Sequence, residues 1–68
     1  MNLYIEYDFI TLQTDLPEEK AEFLKVCNSH NLKTETNKIG HWMAKGEEKE
    51  LYELLITLTC RNGHIDIH

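Results

Sequence analysis

Apolar and polar positions alternate over residues 3–9, with Leu3, Ile5, Tyr7 and Phe9 on one side and Tyr4, Glu6 and Asp8 on the other. A two-residue period rich in aromatic and β-branched side chains predicts a half-buried strand, which Ile10-Thr11-Leu12 can extend. Helix-start signals follow: Asp15 as a cap, Pro17 in the first turn, and Glu18 and Glu19 behind it. From there the period lengthens to 3.6. Phe23, Leu24, Val26 and Cys27 form the stripe, with Leu16 and Ala21 near its start. The helix runs to about residue 29 or 30, and Asn31 supplies a left-handed stop. Residues 32–36 alternate again, with Leu32, Thr34 and Thr36 inward and Lys33 and Glu35 outward. Charge on the outer side suits an edge strand. Residues 37–40 contain a turn, and residues 41–44 form a short strand.

Residues 46–63, GEEKELYELLITLTCRNG, decide the fold. Leu51, Leu54, Leu55 and Leu58 recur at helical spacing, and Glu47, Glu48 and Glu50 crowd the end where the helix dipole favours negative charge. Gly46 serves as N-cap, Arg61 lies near the last carbonyls, and Gly63 takes the left-handed position after the end. Tyr52, Ile56 and Cys60 add a second apolar flank, which predicts a largely covered helix. A strand competes. Ile56, Leu58 and Cys60 alternate with Thr57, Thr59 and Arg61, and Asn62-Gly63 is a strong hairpin signal before Ile65-Asp66-Ile67. The helix is preferred, because residues 47–54 read as helix and no breaker follows them.

The resulting order is strand, helix, strand, strand, helix, strand. The two halves echo one another: Pro17-Glu18-Glu19-Lys20 opens one helix and Gly46-Glu47-Glu48-Lys49 the other. A split repeat of β-α-β units predicts a ferredoxin-like βαββαβ domain over residues 1–68, an α+β fold with a four-stranded antiparallel sheet and both helices on one face. The alternative is βαββ with a short second helix and a C-terminal hairpin at Asn62-Gly63. The match is to a fold and not to a family, and this fold hosts many unrelated functions.

Composition narrows the partners. The chain has 68 residues, 41% of them hydrophobic, and a core of that size gains from a second copy or a partner. A formal charge of −5 with scattered Lys and Arg lacks the basic footprint that neutralises phosphates. Direct nucleic-acid binding is not expected, and an anionic membrane surface is disfavoured for the same reason. No apolar run is long enough to span a bilayer. Two cysteines far apart and no export signal point to a reduced, cytoplasmic setting.

The candidate chemistry is sparse. His64, Asp66 and His68 share one face of the last strand and are weak candidates for a divalent metal. Strand rise spreads them over roughly 13 Å, too far for all three to grip one ion. Cys27 and His30 are three apart on the first helix, a spacing at which thiol and imidazole can meet. Cys27 belongs to the apolar stripe, however, and His30 to a helix end that welcomes a cation. No catalytic constellation and no cofactor are expected.

The open face of the sheet is the remaining candidate. If Trp42 points into the core, then Ile39, His41 and Met43 point out, where they join Tyr4, Glu6, Asp8, His64 and Asp66. Apolar and acidic groups together suit a protein interface. The expected function is a non-enzymatic interaction or regulatory module working through that face, with a protein partner or a second copy. The alternatives are a small acidic inhibitor from a phage or mobile element that occludes a basic surface on a host protein, and a weak divalent-metal-binding regulator.

Overall fold

The computed structural model describes residues 1–14 and 16–68. Five strands and two helices follow in the order β1 (Asn2–Ile5), β2 (Phe9–Leu12), α1 (Pro17–Ser29), β3 (Lys33–Thr36), β4 (Trp42–Lys45), α2 (Glu48–Asn62) and β5 (Asp66–Ile67). The fold is α+β. The sheet is five-stranded and mixed, in the order β3-β4-β2-β1-β5. The four-stranded antiparallel sheet expected from the sequence is therefore corrected in two respects.

The first is at the N-terminus, where the single expected strand is a hairpin. Leu3 and Ile5 are apolar at odd positions, whereas Ile10 and Leu12 are apolar at even ones. A straight strand would send these two sets to opposite faces. Folding back pairs Leu3 with Leu12 and Ile5 with Ile10, so all four face the core. The Glu6 N–H donates to the Phe9 carbonyl at 2.9 Å and closes the turn. Tyr7, expected inside with Leu3, sits in this turn and is 90% exposed. Phe9 pairs with Lys45 and turns to the open side.

The second correction is β5, which lies parallel to β1, with Asn2 beside Asp66 and Leu3 beside Ile67. The Asp66 and His68 N–H groups donate to the Met1 and Leu3 carbonyls, each at 2.9 Å. β2 and β4 run antiparallel, as do β3 and β4, so β2 and β3 are parallel and α1 is the crossover between them. α2 likewise joins β4 to β5.

One core holds these layers together. Leu3, Ile10, Leu12 and Ala44 from the sheet meet Phe23, Val26 and Cys27 from α1 and Leu51, Leu54 and Leu58 from α2. Leu24 and Leu55 are half-buried, and Trp42 packs against the same core. Side chains this well covered are worth about 1.5–3 kcal/mol each, and they supply most of what opposes chain entropy.

Local chemistry fixes the ends of the helices. Asp15, the expected cap of α1, lies outside the described residues; Leu16 holds the cap position and Pro17 the first turn. Asn31 takes the predicted left-handed conformation at φ 57°. The N-cap of α2 is Glu47 and not Gly46, and the Glu50 carboxylate accepts the Glu47 N–H at 3.0 Å. The helix continues to Asn62 and ends on Gly63 at φ 78°, where a residue without Cβ is unstrained. The alternative C-terminal hairpin is therefore absent, since residues 56–61 are helical and only Leu58 of its proposed inner face is buried.

Candidate functional site

Of the residues expected on the open face of the sheet, Tyr4 and Met43 are brought together. Thr11 lies between them on β2, and Glu35 on β3 completes the row. Trp42 does face the core, as that arrangement requires. Phe9, Lys45 and Lys33 form a second row on the same side. Asp66 lies beside Asn2 at the far edge.

The other residues of that set sit elsewhere. Glu6 and Asp8 are in the β1–β2 turn, because the hairpin removes them from the strand. Ile39 is 74% exposed in the turn before β4. His41 precedes β4, and its N–H donates to Asn37 Oδ1 at 2.9 Å. His64 precedes β5.

The open face is largely polar. The ammonium of Lys45 pairs with the Glu35 carboxylate, whose hydrogen bond and charge raise the lysine above its ordinary pKa of 10.5. Tyr4 is 42% exposed, and Phe9 and Met43 are half-buried. A hollow of about 370 Å³ borders this face at Lys33 and Lys45.

His64 and Asp66 do meet, Nε2 to Oδ1 at 3.0 Å, on the surface. Among the described residues no group of three His, Cys, Asp or Glu side chains is placed to hold a metal ion. The Cys27 thiol is buried, and burial pushes its pKa up to about 12. His30 does not face it: its Nε2 lies 3.0 Å from Thr57 Oγ1 on α2.

Four of the seven large apolar side chains exposed among the described residues, Tyr7, Tyr52, Ile56 and Ile67, gather along α2, whereas Tyr4, Leu16 and Ile39 lie elsewhere. One flank of this helix is taken by α1: beside the Thr57 contact, the Arg61 guanidinium grips the Glu22 carboxylate, Nη2 to Oε1 at 3.0 Å. The opposite flank has no neighbouring helix. Tyr52 is 65% exposed there, Ile56 50% and, across from them on β5, Ile67 53%.

Two hollows run along this flank. One, of about 200 Å³, lies between the β1–β2 turn and α2 and is bounded by Ile5, Tyr7, Tyr52 and Leu55, with Glu6 and Glu48 at its rim. The second, of about 320 Å³, lies between α2 and β5, with Ile56, Cys60 and Ile67 in its walls. Tyr52 and Leu55 line both, so the two form one groove. A third hollow adjoins the acidic end and is lined by Tyr7, Asp8, Gly46, Glu47 and Glu48.

The sequence did carry a signal for this groove: Tyr52, Ile56 and Cys60 stand out as a second apolar flank. The largely covered helix expected from it is corrected, because none of the described elements lies over this flank. Tyr7 joins it only because the hairpin turn projects there.

No described helix is long and apolar enough to cross a membrane. No family model, no curated protein and no solved structure matches the chain.

Proposed function

We propose that this chain is a non-enzymatic protein-interaction module that docks through the groove along α2. The observation behind this reading is the clustering of exposed apolar surface: Tyr7, Tyr52, Ile56 and Ile67 project into one groove. An apolar floor with a polar rim is the usual anatomy of a docking surface, and Tyr is a frequent anchor in such sites. The open face of the sheet, with its Lys45–Glu35 pair and half-buried Phe9 and Met43, is a flatter and more polar secondary surface. We place the module in the cytoplasm. We also read its scaffold as a ferredoxin-like β-α-β repeat in which β1 is inserted between the first and last strands of the usual sheet.

Binding of the apolar dye bis-ANS tests this function. The expected result is one dye per chain, lost in Tyr52→Glu and retained in Met43→Glu. Loss only in Met43→Glu would return the site to the sheet, and equal binding by both variants would refute the groove.

A second reading rests on charge. Glu6, Asp8, Glu47 and Glu48 gather at one end of the groove, and the chain carries −5 overall. Such an end suits masking of a basic surface on another protein. An association rate that falls steeply with salt supports masking, and a salt-independent rate refutes it.

A further inference from the structure

We infer that the occupant of the α2 groove is a second copy of this chain, packed with its α2 antiparallel about a two-fold axis beside Ile56. The inference rests on the docking role proposed above and goes further by naming the partner and its orientation.

Helix geometry sets the stripe. Tyr52, Ile56 and Cys60 stand one turn apart, with Leu55 and Thr59 beside them. A two-fold contact is self-complementary, so residues equidistant from the axis must fit one another. Antiparallel pairing about Ile56 sets the Tyr52 ring over the partner's Thr59 and Cys60. Large meets small, as interdigitated packing requires. The hollow between Tyr7 and Tyr52 then faces the partner's Ile67, an exposed apolar side chain of suitable size.

Charge selects the antiparallel sense. Glu6 and Glu48 rim one end of the groove, and no Lys or Arg lines it anywhere. Parallel pairing would set these carboxylates against their own copies. In the antiparallel pair, Glu48 of each chain lies eight residues from the axis, or about 12 Å at helical rise. The two acidic ends are then about 24 Å apart, well beyond the screening length of about 8 Å at physiological salt. Each then lies beside the partner's C-terminal end, where the carboxylate of Asp66 is already engaged by the His64 ring at 3.0 Å, and the two helix dipoles oppose one another favourably.

Area sets the scale of the contact. From their exposed fractions, Tyr7, Tyr52, Ile56 and Ile67 offer on the order of 450 Å² per copy. That is about a tenth of the chain's 4564 Å² surface. With the rim residues added, the contact falls at the small end of specific interfaces.

Sedimentation equilibrium of the intact chain from about 2 to 300 μM tests the dimer. A monomer–dimer equilibrium is expected. Tyr52→Glu and Ile56→Glu should each weaken it at least tenfold while keeping the helical circular dichroism and lowering the urea midpoint only slightly at about 1 μM, and Met43→Glu on the open face should leave the dimer unchanged.

Orientation has its own assay. Ile56→Cys in a Cys60→Ser background should close a disulfide across the axis under mild oxidant. Wild-type Cys60 should not, because the two copies lie about 12 Å apart, beyond bridging distance. A monomer at 300 μM overturns the inference. So does a dimer broken by Met43→Glu but not by Tyr52→Glu, and rapid Cys60–Cys60 bridging overturns the antiparallel sense. The dye assay then separates the two failures. A monomer that binds bis-ANS at Tyr52 keeps the docking surface and loses only this partner, whereas a monomer that binds none loses both.

Discussion

Truncating Leu58 and Ile56 in parallel tests the architecture most directly, because the two residues are neighbours by sequence and opposites by burial. Leu58 is 0% exposed and belongs to the core; Ile56 is 50% exposed on the groove flank. Leu58→Ala removes buried methyl groups and leaves a cavity, a loss of about 2–5 kcal/mol. Ile56→Ala removes a side chain already half in water. That costs about 1 kcal/mol at most, and Ala recovers a few tenths through its better helix propensity. A 68-residue domain has a total stability of about 3–10 kcal/mol, so Leu58→Ala consumes from about a fifth of it to all of it. The assay is urea unfolding followed by circular dichroism, at about 1 μM to keep the chain monomeric. The expected result is a large drop in midpoint for Leu58→Ala and a small one for Ile56→Ala, with similar slopes. Were residues 56–61 a strand, both side chains would share its inner face and cost alike. Equal losses of 2 kcal/mol or more would refute the helix, and the groove with it.

Three further outcomes follow. At pH 8 one thiol per chain should react quickly with a thiol reagent, and it should be Cys60, which is exposed, while Cys27, buried and pushed up to about 12, reacts only through opening; two thiols labelled at one rate would contradict the core. Asn37→Ala should cost about 1–2 kcal/mol in urea unfolding, since Asn37 Oδ1 accepts the N–H groups of both Ile39 at 3.1 Å and His41 at 2.9 Å, whereas Asn37→Asp should retain most of the stability. The Glu19 carboxyl is held below its ordinary 4.5, chiefly by the Thr14 hydroxyl and also by the Met1 amine 3.0 Å away. A depressed carboxyl stabilises the fold above about pH 4.5, and that contribution disappears as pH falls through the folded-state value. Glu19→Gln should therefore flatten the loss of stability on acidification by less than about 1 kcal/mol, and an unchanged acid limb would show the pair to be inert.

The helices were legible because each is specified locally. Phe23, Val26 and Cys27 on α1, and Leu51, Leu54 and Leu58 on α2, recur at one period, and residues with an evident reason to adopt positive φ, Asn31 and Gly63, stop each run. The edge position of β3 was legible too, from Lys33 and Glu35 on its outer side. The N-terminal hairpin was not. Its apolar alternation runs without a break through Tyr7, and the turn contains no Gly, Asn or Pro. Asn31 is the only described non-glycine residue with positive φ, so this turn lacks the left-handed residues by which two-residue hairpins are usually recognised. The single clue was the change from odd to even apolar positions between Phe9 and Ile10, and it acquires meaning only when a common core demands that Leu3 and Leu12 face the same way.

The same limit explains the groove. An apolar flank on a helix reads identically whether another element covers it or solvent does, because periodicity reports the helix's own geometry and not its neighbours. Coverage here is decided by β1. Its insertion between β2 and β5 widens the sheet on the side away from α1, so two helices must span five strands. The Thr57–His30 and Arg61–Glu22 contacts hold α2 against α1. The extra width therefore appears on the other side of α2, between Tyr52 and Ile67. Releasing those contacts should let α2 shift toward β5. Thr57→Val with Arg61→Ala should therefore lower bis-ANS binding in the groove, though both residues lie on the opposite flank. Undiminished dye binding in that double variant would mean that the groove is set by the strands alone.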